Sequence, residues 1–521
     1  MQIVSLAEAA RDTRPRSVAL GVFDGLHLGH RAVIRRAVCA DGSVPTLFTF
    51  SQKPWQLPKQ AGACLLTESR RNAVLETLGV AEVVEADFEA VRGMTPAQFV
   101  REVLRDTLHA VRVTCGFNYR FGAGGAGEVD ALRALCAAEG IAVEVVDAVT
   151  VDGQAVSASR IRHLIEQGDM ALASRCLGYP FTLDMPVTHG RGLGHRLGTP
   201  TINQPLPEGF VRPRFGVWLS AVTVDGRIHP GVTNIGVKPT VGAAAPAAET
   251  WILDYDGDLY GQSVPVQPLL HLRDERRFAD VDALAAQIAA DADAARAAVA
   301  PTGQVRAVLF DFDDTLQDRL VAFLDYARWF VGKYCPGLPP EEAERRAVDM
   351  RRRNNGGFVD YEAFFDEVRA LYGIATPTAV LSAERHVQFP LYTTLFERTV
   401  DTLHALRAQG LRIGIVTNGP LLQQWRKLDM SGLLPLVDAV CVSGQEGVHK
   451  PDPEIFRRAA MRLGVACEDC VFVGDQVPLD IQGALAAGMH PVHIDVAGAG
   501  GTPEGVPCIA DIADVKKYLK F

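Results

Sequence analysis

The chain has 521 residues, of which 48% are hydrophobic and 22% charged, and its formal net charge is −10. This length exceeds what one hydrophobic core supports, so several domains are expected, and the composition excludes a largely disordered protein. The acidic balance argues against a nucleic-acid partner, which usually meets a basic face of a protein.

Export and membrane insertion are not expected from the sequence. It contains no run of about 18 apolar residues, and the opening residues lack the apolar stretch of a secretory signal. We therefore expect a cytoplasmic protein without a membrane partner. Ten cysteines lie between Cys39 and Cys508 without a framework spacing, which predicts reduced thiols. Cys467 and Cys470 have redox or metal spacing, but no second pair lies near them, so we interpret them as ordinary thiols.

The first predicted domain covers residues 1–175. Apolar runs such as SVALGVF and VRVTCGF alternate there with helical stretches such as AQFVREVLRDTLHA. This rhythm is typical of a parallel α/β sheet with helices on its faces. In such a sheet, ligands bind beyond the carboxyl ends of the strands.

The second predicted domain covers residues 176–300 and changes to short strands and tight turns. Asp225-Gly226 lies between two apolar runs and is a hairpin signal. We predict a small β-barrel followed by an alanine-rich amphipathic helix. The segment Pro301-Thr302-Gly303 is interpreted as the linker that ends this domain.

The third predicted domain covers residues 304–521. The apolar runs VRAVLFDF, LRIGIVTN and CVFVGD predict a second doubly wound α/β sheet. A long helical segment interrupts it from about residue 318 to 400. The whole chain is thus predicted to be multidomain: an α/β domain, a small β-barrel, and another α/β domain with a helical insertion.

Two histidines follow the first predicted strand of the first domain. His27 and His30 fall at the start of a helix, and a helix amino terminus favours phosphate. Two imidazole donors one turn apart can stabilise the charge that develops when a nucleotide α-phosphate is attacked. The string GVFDGLHLGH resembles the HxGH signature of the bifunctional prokaryotic riboflavin kinase/FAD synthetase family. The resemblance implies an adenylyltransferase with a Rossmann-like fold that uses ATP and converts FMN to FAD.

Two further segments carry this resemblance, GFNYRFGAGGAG and VSASRIR. By family match, nucleotide or phosphate contacts are expected from Gly21, Asp24, Asn118, Ser157, Ser159, Arg160 and Arg162. The family usually has an acidic-Pro-His-Pro string after its second strand, whereas this chain has Ser51-Gln52-Lys53-Pro54. A flavin-binding module with weakened adenylylation is therefore the alternative for this domain.

The second domain is similar to the kinase domain of the same family. The glycine-rich stretch from Gly190 to Gly198 permits close backbone approach to phosphates. Thr201 and Asn203 alternate onto one face of an extended segment, where oxygen ligands suit Mg²⁺ and ATP phosphates. The resemblance implies that Glu249 is the catalytic base that acts on riboflavin and that Arg273 contacts the flavin. A surface ion pair is the alternative for Arg273.

Four spaced signals occur in the third domain: DFDDTL, IGIVTNG, HKPDPEIF and VFVGDQVPLD. Together they resemble the motifs of the haloacid dehalogenase-like hydrolases. Asp311 is placed to attack phosphorus, and Asp313 to protonate the leaving alcohol. Asp475 and Asp480 are expected to join both as Mg²⁺ ligands. The remaining positions are phosphate contacts: Thr417, Asn418 and Lys450. The insertion at 318–400 has the position of the cap that selects substrates in this family.

The motifs leave the substrate of the third domain open. Hydrolysis of the FMN made by the neighbouring domain would consume ATP without gain. We therefore favour the phosphorylated ribitylaminopyrimidine precursor of riboflavin, 5-amino-6-(5-phospho-D-ribitylamino)uracil. FMN, another nucleotide, or a general sugar-phosphate-like phosphomonoester are the alternatives. The small-molecule partners expected overall are riboflavin, ATP, FMN and this phosphomonoester.

Overall fold

The computed structural model describes residues 1–39, 42–52, 56, 62–190, 198–237, 246–357 and 359–520. These residues form two compact units. The first contains Met1–Ala307 with the short segments Leu434–Val440 and Phe456–Cys470, and the second contains Val308–Leu433, Cys441–Ile455 and Val471–Phe521. The two short segments of the first unit come from within the third predicted domain, an assignment that no sequence pattern indicated.

A six-stranded sheet forms the first part of the chain. Its strands are β1 (Gln2–Ser5), β2 (Arg16–Leu20), β3 (Val44–Phe50), β4 (Glu82–Ala86), β5 (Ala110–Gly116) and β6 (Ala142–Val146). They are ordered β1-β4-β3-β2-β5-β6, and all neighbours are parallel. The winding direction changes at β2, so the carboxyl ends of β2 and β5 mark the point where such sheets bind ligands. The predicted Rossmann-like class is confirmed.

Helical segments connect or follow these strands. They are Leu6–Ala9, Leu28–Val38, Glu68–Leu78, Phe88–Val91, Pro96–Gln98, Phe99–Thr107, Val129–Ala138, Ala158–Gln167 and Met170–Leu177. A short hairpin of β7 (Thr150–Val151) and β8 (Gln154–Ala155) precedes the helix Ala158–Gln167.

A buried ion pair joins the amino-terminal ends of β2 and β4. Arg16 is completely buried, and its Nε donates to Glu82 Oε2 at 2.6 Å. Two of its other donors bind the carbonyl oxygens of Leu108 and Ala9. Every donor direction of the guanidinium is thus directed at an acceptor, as a buried charge requires.

We predict that Glu82→Ala destabilises this sheet by about 3–5 kcal/mol, because it removes the carboxylate that hydrogen-bonds the buried Arg16 and leaves only the longer 3.6 Å ion pair with the partly exposed Asp12 among the described residues. Hydrogen exchange of peptides covering β2 and β4 would measure the loss of protection. Glu89→Gln is the control, since Glu89 and Arg92 form an ion pair with 64% and 55% exposed side chains. Equal protection in Glu82→Ala and the unmodified chain would contradict the prediction.

Antiparallel strands form the second sheet of the same unit. They are β9 (Thr201–Pro205), β10 (Gly216–Val224), β11 (Arg227–Val237), β12 (Pro246–Ile252) and β13 (Val266–Arg273), in the order β13-β10-β11-β12-β9. The segment 183–188 bridges both edges, through Leu183 to Val266 and through Thr188 to Asn203. This closes the sheet into the predicted small barrel. The helix Val281–Ala298 follows it.

Alternation along the barrel strands gives each strand an inner and an outer face. Thr233 Oγ1 lies 2.8 Å from Ser220 Oγ and 2.9 Å from Thr250 Oγ1, and all three residues are fully buried. Because neighbouring side chains on a strand point to opposite faces, Glu249 must point away from this interior network.

The third sheet combines β14 (Ala307–Phe310), β15 (Arg412–Thr417), β16 (Ala439–Val442), β17 (Cys470–Gly474), β18 (His490–Ile494) and β19 (Cys508–Ile509). Its order is β16-β15-β14-β17-β18-β19. The later helices are Thr399–Ala408, Leu421–Ser431, Ser443–Glu446, Pro453–Leu463 and Gln482–Ala487. Asp311 and Asp475 directly follow two adjacent strands, and Thr417 ends a third, so their side chains converge at one edge.

Four helices between β14 and β15 form what we call the cap: Arg319–Tyr334, Pro340–Arg353, Tyr361–Tyr372 and Thr378–Gln388. They enclose an aromatic-rich core that includes Phe323, Tyr326, Phe330 and Phe365. This confirms the helical insertion expected within the third predicted domain. Among the described residues, no helix is both long enough and apolar enough to span a membrane. All ten cysteines are free thiols.

Candidate functional sites

A tight turn carries the chain from β2 into the helix Leu28–Val38. Phe23 and Leu26 adopt positive φ angles of 56° and 39°. Gly25 has a φ of 77°, and a Cβ atom there would lie 2.6 Å from Leu65 Cδ1. Glycine is required at this position both for its conformation and for the close approach.

His27 caps the helix that follows this turn. Its Nδ1 accepts a hydrogen bond from the backbone N–H of His30 at 3.3 Å. The proton of the neutral ring is therefore assigned to Nε2. The two imidazoles stack with ring centroids 3.7 Å apart and planes 17° from parallel. The structure thus brings the sequence-predicted histidine pair together at the switch point of the sheet.

Burial keeps both imidazoles uncharged. It lowers the pKa of His27 from 6.5 to about 4, and the nearby Arg162 adds to the effect. Burial lowers the pKa of His30 well below its ordinary value, and the His27 ring contributes. Both residues therefore act as neutral hydrogen-bond donors near pH 7. His30 Nδ1 is buried without a hydrogen-bond partner among the described residues.

We predict that the His27 ring resonances stay those of neutral imidazole down to about pH 5, with a midpoint near pH 4. Because the pKa in the folded protein lies below the unfolded value, this group favours folding above pH 6.5, and the contribution is lost as the pH falls toward 4. NMR titration of histidine-labelled protein measures the midpoint. His27→Asn identifies the resonance and retains a capping oxygen. A midpoint near pH 6.5 would contradict the burial argument.

An ion pair supports the turn beneath the histidines. Asp24 Oδ2 accepts from Arg162 Nη2 at 2.5 Å, and Asp24 Oδ1 accepts from the backbone N–H of Leu65 at 3.0 Å. Arg162 Nε donates to the Ala63 carbonyl oxygen. Although this pairing opposes it, burial raises the pKa of Asp24. Asp24 and Arg162 thus lie beside His27 as expected, but they bind one another.

Other predicted nucleotide contacts are placed differently. Ser157 caps the helix Ala158–Gln167 by accepting from the backbone N–H of Arg160. The Arg160 guanidinium donates to the carbonyl oxygens of Val151 and Gln154, so it holds the β7–β8 hairpin. The phosphate role expected for Arg160 conflicts with this arrangement, because its charge is directed at these carbonyl groups.

Three predicted positions in this domain have little or no supporting contact. Asn118 and Ser159 are exposed, and Gly21 packs with its α-carbon facing the Phe23 ring. In the string Ser51-Gln52-Lys53-Pro54, which departs from the family pattern, Gln52 Nε2 donates to Asp87 Oδ1 at 2.6 Å. Residues 53 and 54 of that string lie outside the described residues.

The outer face of the barrel gathers the predicted kinase residues. Glu249 on β12 is directly opposite Asn203 on β9, and Thr201 is opposite Trp251 on the same face. Asn234 on β11 is the other neighbour of Glu249. In strand register, Glu249 thus lies between two asparagines. The sequence motifs alone did not indicate Asn234.

A glycine and a cavity border this polar face. A Cβ atom at Gly190 would lie 2.5 Å from Asn203 Nδ2, so a larger residue there would displace the Asn203 side chain. Gly198 has a φ of 71°, and the residues between these two glycines lie outside the described set. A cavity of about 360 Å³ is lined by Thr201 with Pro200, Asp256, Asp258 and Tyr260. Sequence reasoning did not single out the two aspartates, which stand on an exposed loop.

Arg273 forms a bidentate ion pair within the barrel domain. Its Nε and Nη2 donate to the two carboxylate oxygens of Asp291 at 2.8 and 2.7 Å. Asp291 is buried on the helix Val281–Ala298. Arg273 therefore anchors this helix to the end of β13. The contacts of Arg273 are therefore those of an ion pair, which was the alternative interpretation. Its partner is Asp291 and not an acidic residue next to it in the sequence.

Three carboxylates converge at the edge of the third sheet. Asp311, Asp475 and Asp480 each offer an oxygen, and these atoms lie within 4.8 Å of one another. Lys450 Nζ lies 2.5 Å from Asp311 Oδ1 and 2.6 Å from Asp480 Oδ1. Gly474 permits this approach, because a Cβ atom there would lie 2.5 Å from the Asp480 side chain.

The electrostatics of this cluster suit a divalent cation. Burial raises the pKa of Asp311 well above its ordinary value despite Lys450, and Asp480 and Asp475 raise it further. Burial likewise raises the pKa of Asp475 to about 6. Asp475 Oδ1 is buried without a hydrogen-bond partner among the described residues. Excess negative charge, hard oxygen ligands and an unsatisfied carboxylate oxygen together fit Mg²⁺.

Asp313 stands outside this group, contrary to the metal role expected for its carboxylate. Lys427 Nζ lies 2.7 and 2.9 Å from its two oxygens. Gln424 Nε2 lies 3.0 Å from Asp313 Oδ2 and 2.6 Å from Thr417 Oγ1. Burial raises the pKa of Asp313, but Lys427 and Arg319 outweigh it and lower the pKa overall.

Sequence reasoning missed Lys427 and Gln424. They are three residues apart on the helix Leu421–Ser431, so they share a face that follows the Thr417 strand end. This spacing after the Thr417 strand end is the sequence signal that could have indicated both residues. The predicted Asn418 bonds the backbone instead: its Nδ2 donates to the Lys450 carbonyl oxygen, and its Oδ1 accepts from the Lys450 backbone N–H. Asn418 thereby positions Lys450.

Three family models match the chain. A FAD synthetase model matches residues 9–160, a riboflavin kinase model residues 177–299, and a haloacid dehalogenase-like hydrolase model residues 305–488. An HAD phosphatase structure from Thermococcus onnurineus is 28% identical, covers 41% of this chain and 98% of that chain, and has a TM-score of 0.29.

Curated relatives align with the first part of the chain. A bifunctional riboflavin kinase/FMN adenylyltransferase from Pseudomonas fluorescens is 37% identical over 310 residues, which is 58% of this chain and 99% of the relative. The Escherichia coli K12 protein of the same name is 32% identical over 287 residues, or 54% of this chain and 91% of the relative. The chain therefore belongs to the bifunctional riboflavin kinase/FMN adenylyltransferase family and adds a haloacid dehalogenase-like hydrolase domain.

Proposed function

We propose that this enzyme phosphorylates riboflavin to FMN, adenylylates FMN to FAD, and uses its hydrolase domain to dephosphorylate 5-amino-6-(5-phospho-D-ribitylamino)uracil. We assign the three activities to residues 176–300, 1–175 and 304–521, respectively. The observation that carries the kinase proposal is the register that sets Glu249 opposite Asn203. It brings a proton acceptor and an oxygen ligand together on one face.

In the kinase step, Glu249 accepts the proton of the terminal ribityl hydroxyl. The hydroxyl oxygen then attacks the γ-phosphorus of ATP, and ADP leaves with the electrons of the broken phosphoanhydride bond. Thr201 and Asn203 would hold Mg²⁺, which when bound neutralises phosphate charge. The glycine at position 190 leaves room for phosphates beside Asn203.

In the adenylyl step, a phosphate oxygen of FMN attacks the α-phosphorus of ATP, and pyrophosphate leaves. Neutral His27 and His30 donate hydrogen bonds to the oxygens on which charge develops. His27 has Nε2 available for this, since its Nδ1 is occupied by the His30 backbone. The stacked arrangement fixes both rings before substrate binds, so little reorganisation is needed.

In the phosphatase step, Asp311 attacks the substrate phosphorus and forms an aspartyl phosphate, and the departing alcohol oxygen takes a proton from Asp313. Lys427 and Arg319 hold Asp313 ionised in the free protein, so Asp313 must take up this proton when the substrate binds. Asp313 then takes a proton from water, which attacks the phosphorus and releases phosphate, restoring Asp311. Lys450, held by Asp311 and Asp480, contributes positive charge at the phosphoryl group. Mg²⁺ bound by Asp311, Asp475 and Asp480 would relieve their mutual repulsion.

The choice among phosphomonoesters rests on pathway direction. Hydrolysing FMN would reverse the kinase step at the cost of ATP, whereas the ribitylaminouracil phosphate must lose its phosphate before riboflavin can form. FMN remains the second candidate because it carries the same ribityl 5-phosphate. Phosphate release from both esters and from a set of nucleotides tests the choice. A higher kcat/KM for FMN or a nucleotide would refute the preferred substrate.

This panel is best run without ATP and with Glu249→Gln protein, in which rephosphorylation of riboflavin is expected to be slow. A separate experiment addresses the possibility that the first two domains only bind flavin. Chromatography of riboflavin incubated with Mg-ATP should show FMN and then FAD. A binding module would yield neither product, and a chain with a weakened adenylyltransferase would stop at FMN.

A further inference from the structure

A buried arginine on the cap has no carboxylate partner. Arg385, on the helix Thr378–Gln388, is 4% exposed. Its Nε is buried and lacks a hydrogen-bond partner within the part of the chain that the structure describes. Its guanidinium carbon lies 3.3 Å from the Tyr361 ring centroid. Such a group is fixed in position but retains an unused donor.

Arg385 lies close to the proposed acid. Its guanidinium carbon is 5.2 Å from the Phe389 ring centroid, and Lys427 Nζ is 5.6 Å from the same centroid. Lys427 in turn binds Asp313. Asp313 protonates the leaving oxygen in the proposed mechanism, so the leaving alcohol must lie beside Asp313. Arg385 therefore stands on the side of the site that the alcohol occupies.

The positively charged side chains around Asp313 outnumber the carboxylates that pair with them. Lys427 pairs with Asp313, and Arg319 pairs with Asp314 at 2.5 Å. Arg385 is the remaining cation, and among the described residues it forms no ion pair. An arginine keeps its proton even when buried, and the hydrogen bond between Arg385 and Tyr361 leaves that charge without an anionic partner, which is costly. An oxygen atom of a ligand would offset that cost.

We propose that Arg385 selects the leaving alcohol of the phosphatase site by donating from Nε to a carbonyl or anionic oxygen on a planar ring. This inference rests on the proposed phosphatase function. A pyrimidinedione ring offers such oxygens in the plane of the ring. The ring is present in both ribitylaminouracil phosphate and FMN, whereas the esters of plain polyols lack it. The substrate class is thus a polyol phosphate that carries a pyrimidinedione.

The test compares Arg385→Met, Arg385→Lys and the control Arg345→Met, which alters a 75% exposed arginine of the cap. Substrates are ribitylaminouracil phosphate, FMN and ribitol 5-phosphate. We expect Arg385→Met to lower kcat/KM for the two ring-bearing esters by about 10–100-fold, mainly through KM, as loss of a charged hydrogen bond predicts. Arg385→Lys should recover part of the loss, and Arg345→Met should behave as the unmodified chain.

Ring-free ligands separate selection from a structural role. Hydrolysis of ribitol 5-phosphate, and competitive inhibition by inorganic phosphate, should stay nearly unchanged in Arg385→Met and show that the protein is folded. Equal losses for ring-free and ring-bearing ligands would overturn the inference, as would no change for either. If the unmodified chain hydrolyses none of these esters, the phosphatase proposal itself fails, and the role of Arg385 fails with it.

Discussion

Replacing Asp311 with asparagine is expected to abolish phosphate release, with a loss of more than about 10³-fold in kcat, because the amide cannot form the aspartyl phosphate. The substitution preserves shape in a buried position, and Lys450 keeps its contact with Asp480. Riboflavin phosphorylation and FAD formation should be unaffected. Phosphate release and chromatography of flavins in the same preparation measure both.

Asp318→Asn is the matched control for this substitution. Asp318 caps the helix Arg319–Tyr334, and asparagine caps a helix about equally well. It therefore removes a nearby carboxylate without touching the cluster of Asp311, Asp475 and Asp480. Simultaneous loss of flavin phosphorylation in Asp311→Asn would argue against independent active sites, and full phosphate release would exclude Asp311 as the nucleophile.

Glu249→Gln is expected to lower the rate of riboflavin phosphorylation by about 10²–10⁴-fold, the usual contribution of a general base. Glutamine fits between Asn203 and Asn234 but cannot take up the ribityl proton. Adenylylation of supplied FMN should persist, since that chemistry is assigned to His27 and His30. The separate rates of FMN formation from riboflavin and FAD formation from FMN measure the effect.

The control for this prediction is Glu208→Gln, which changes an exposed glutamate of the same domain. A full rate of FMN formation in Glu249→Gln would show that another group accepts the proton. Loss of both flavin activities would indicate that the substitution disturbs the fold of the barrel rather than one chemical step.

Much of the architecture could be predicted because periodicity and turn signals are local. The alternating runs indicated two parallel sheets, and the short strands around Asp225-Gly226 indicated the barrel. The helix start at His27 was also local, so the histidine pair could be located. Their stacking and their lowered pKa values could not, because both depend on burial by the surrounding fold.

The sequence could not indicate contacts between residues that lie far apart along the chain. Asp291 is 18 residues from Arg273, and nothing in the HLRDE motif points to it. Lys427 is 114 residues from Asp313, and the cap residue Arg385 belongs to no motif. Arg160 is a different case: a family match predicts a phosphate contact, and in the structure carbonyl groups of the local hairpin accept hydrogen bonds from its guanidinium. Motifs indicate which residues matter, but the packing decides which partner each one meets.

The pairing of Glu249 with Asn203 makes the barrel's chemistry depend on strand alignment. A deletion of one residue in β12 before Glu249 would turn its carboxylate toward the interior face that holds Ser220 and Thr233, and would move Thr250 to the outward position. Substitutions at other positions of this strand therefore preserve the alignment of Glu249 with Asn203, whereas insertions and deletions shift it. Length variation in this enzyme is expected to accumulate in the loops and to spare Pro246–Ile252.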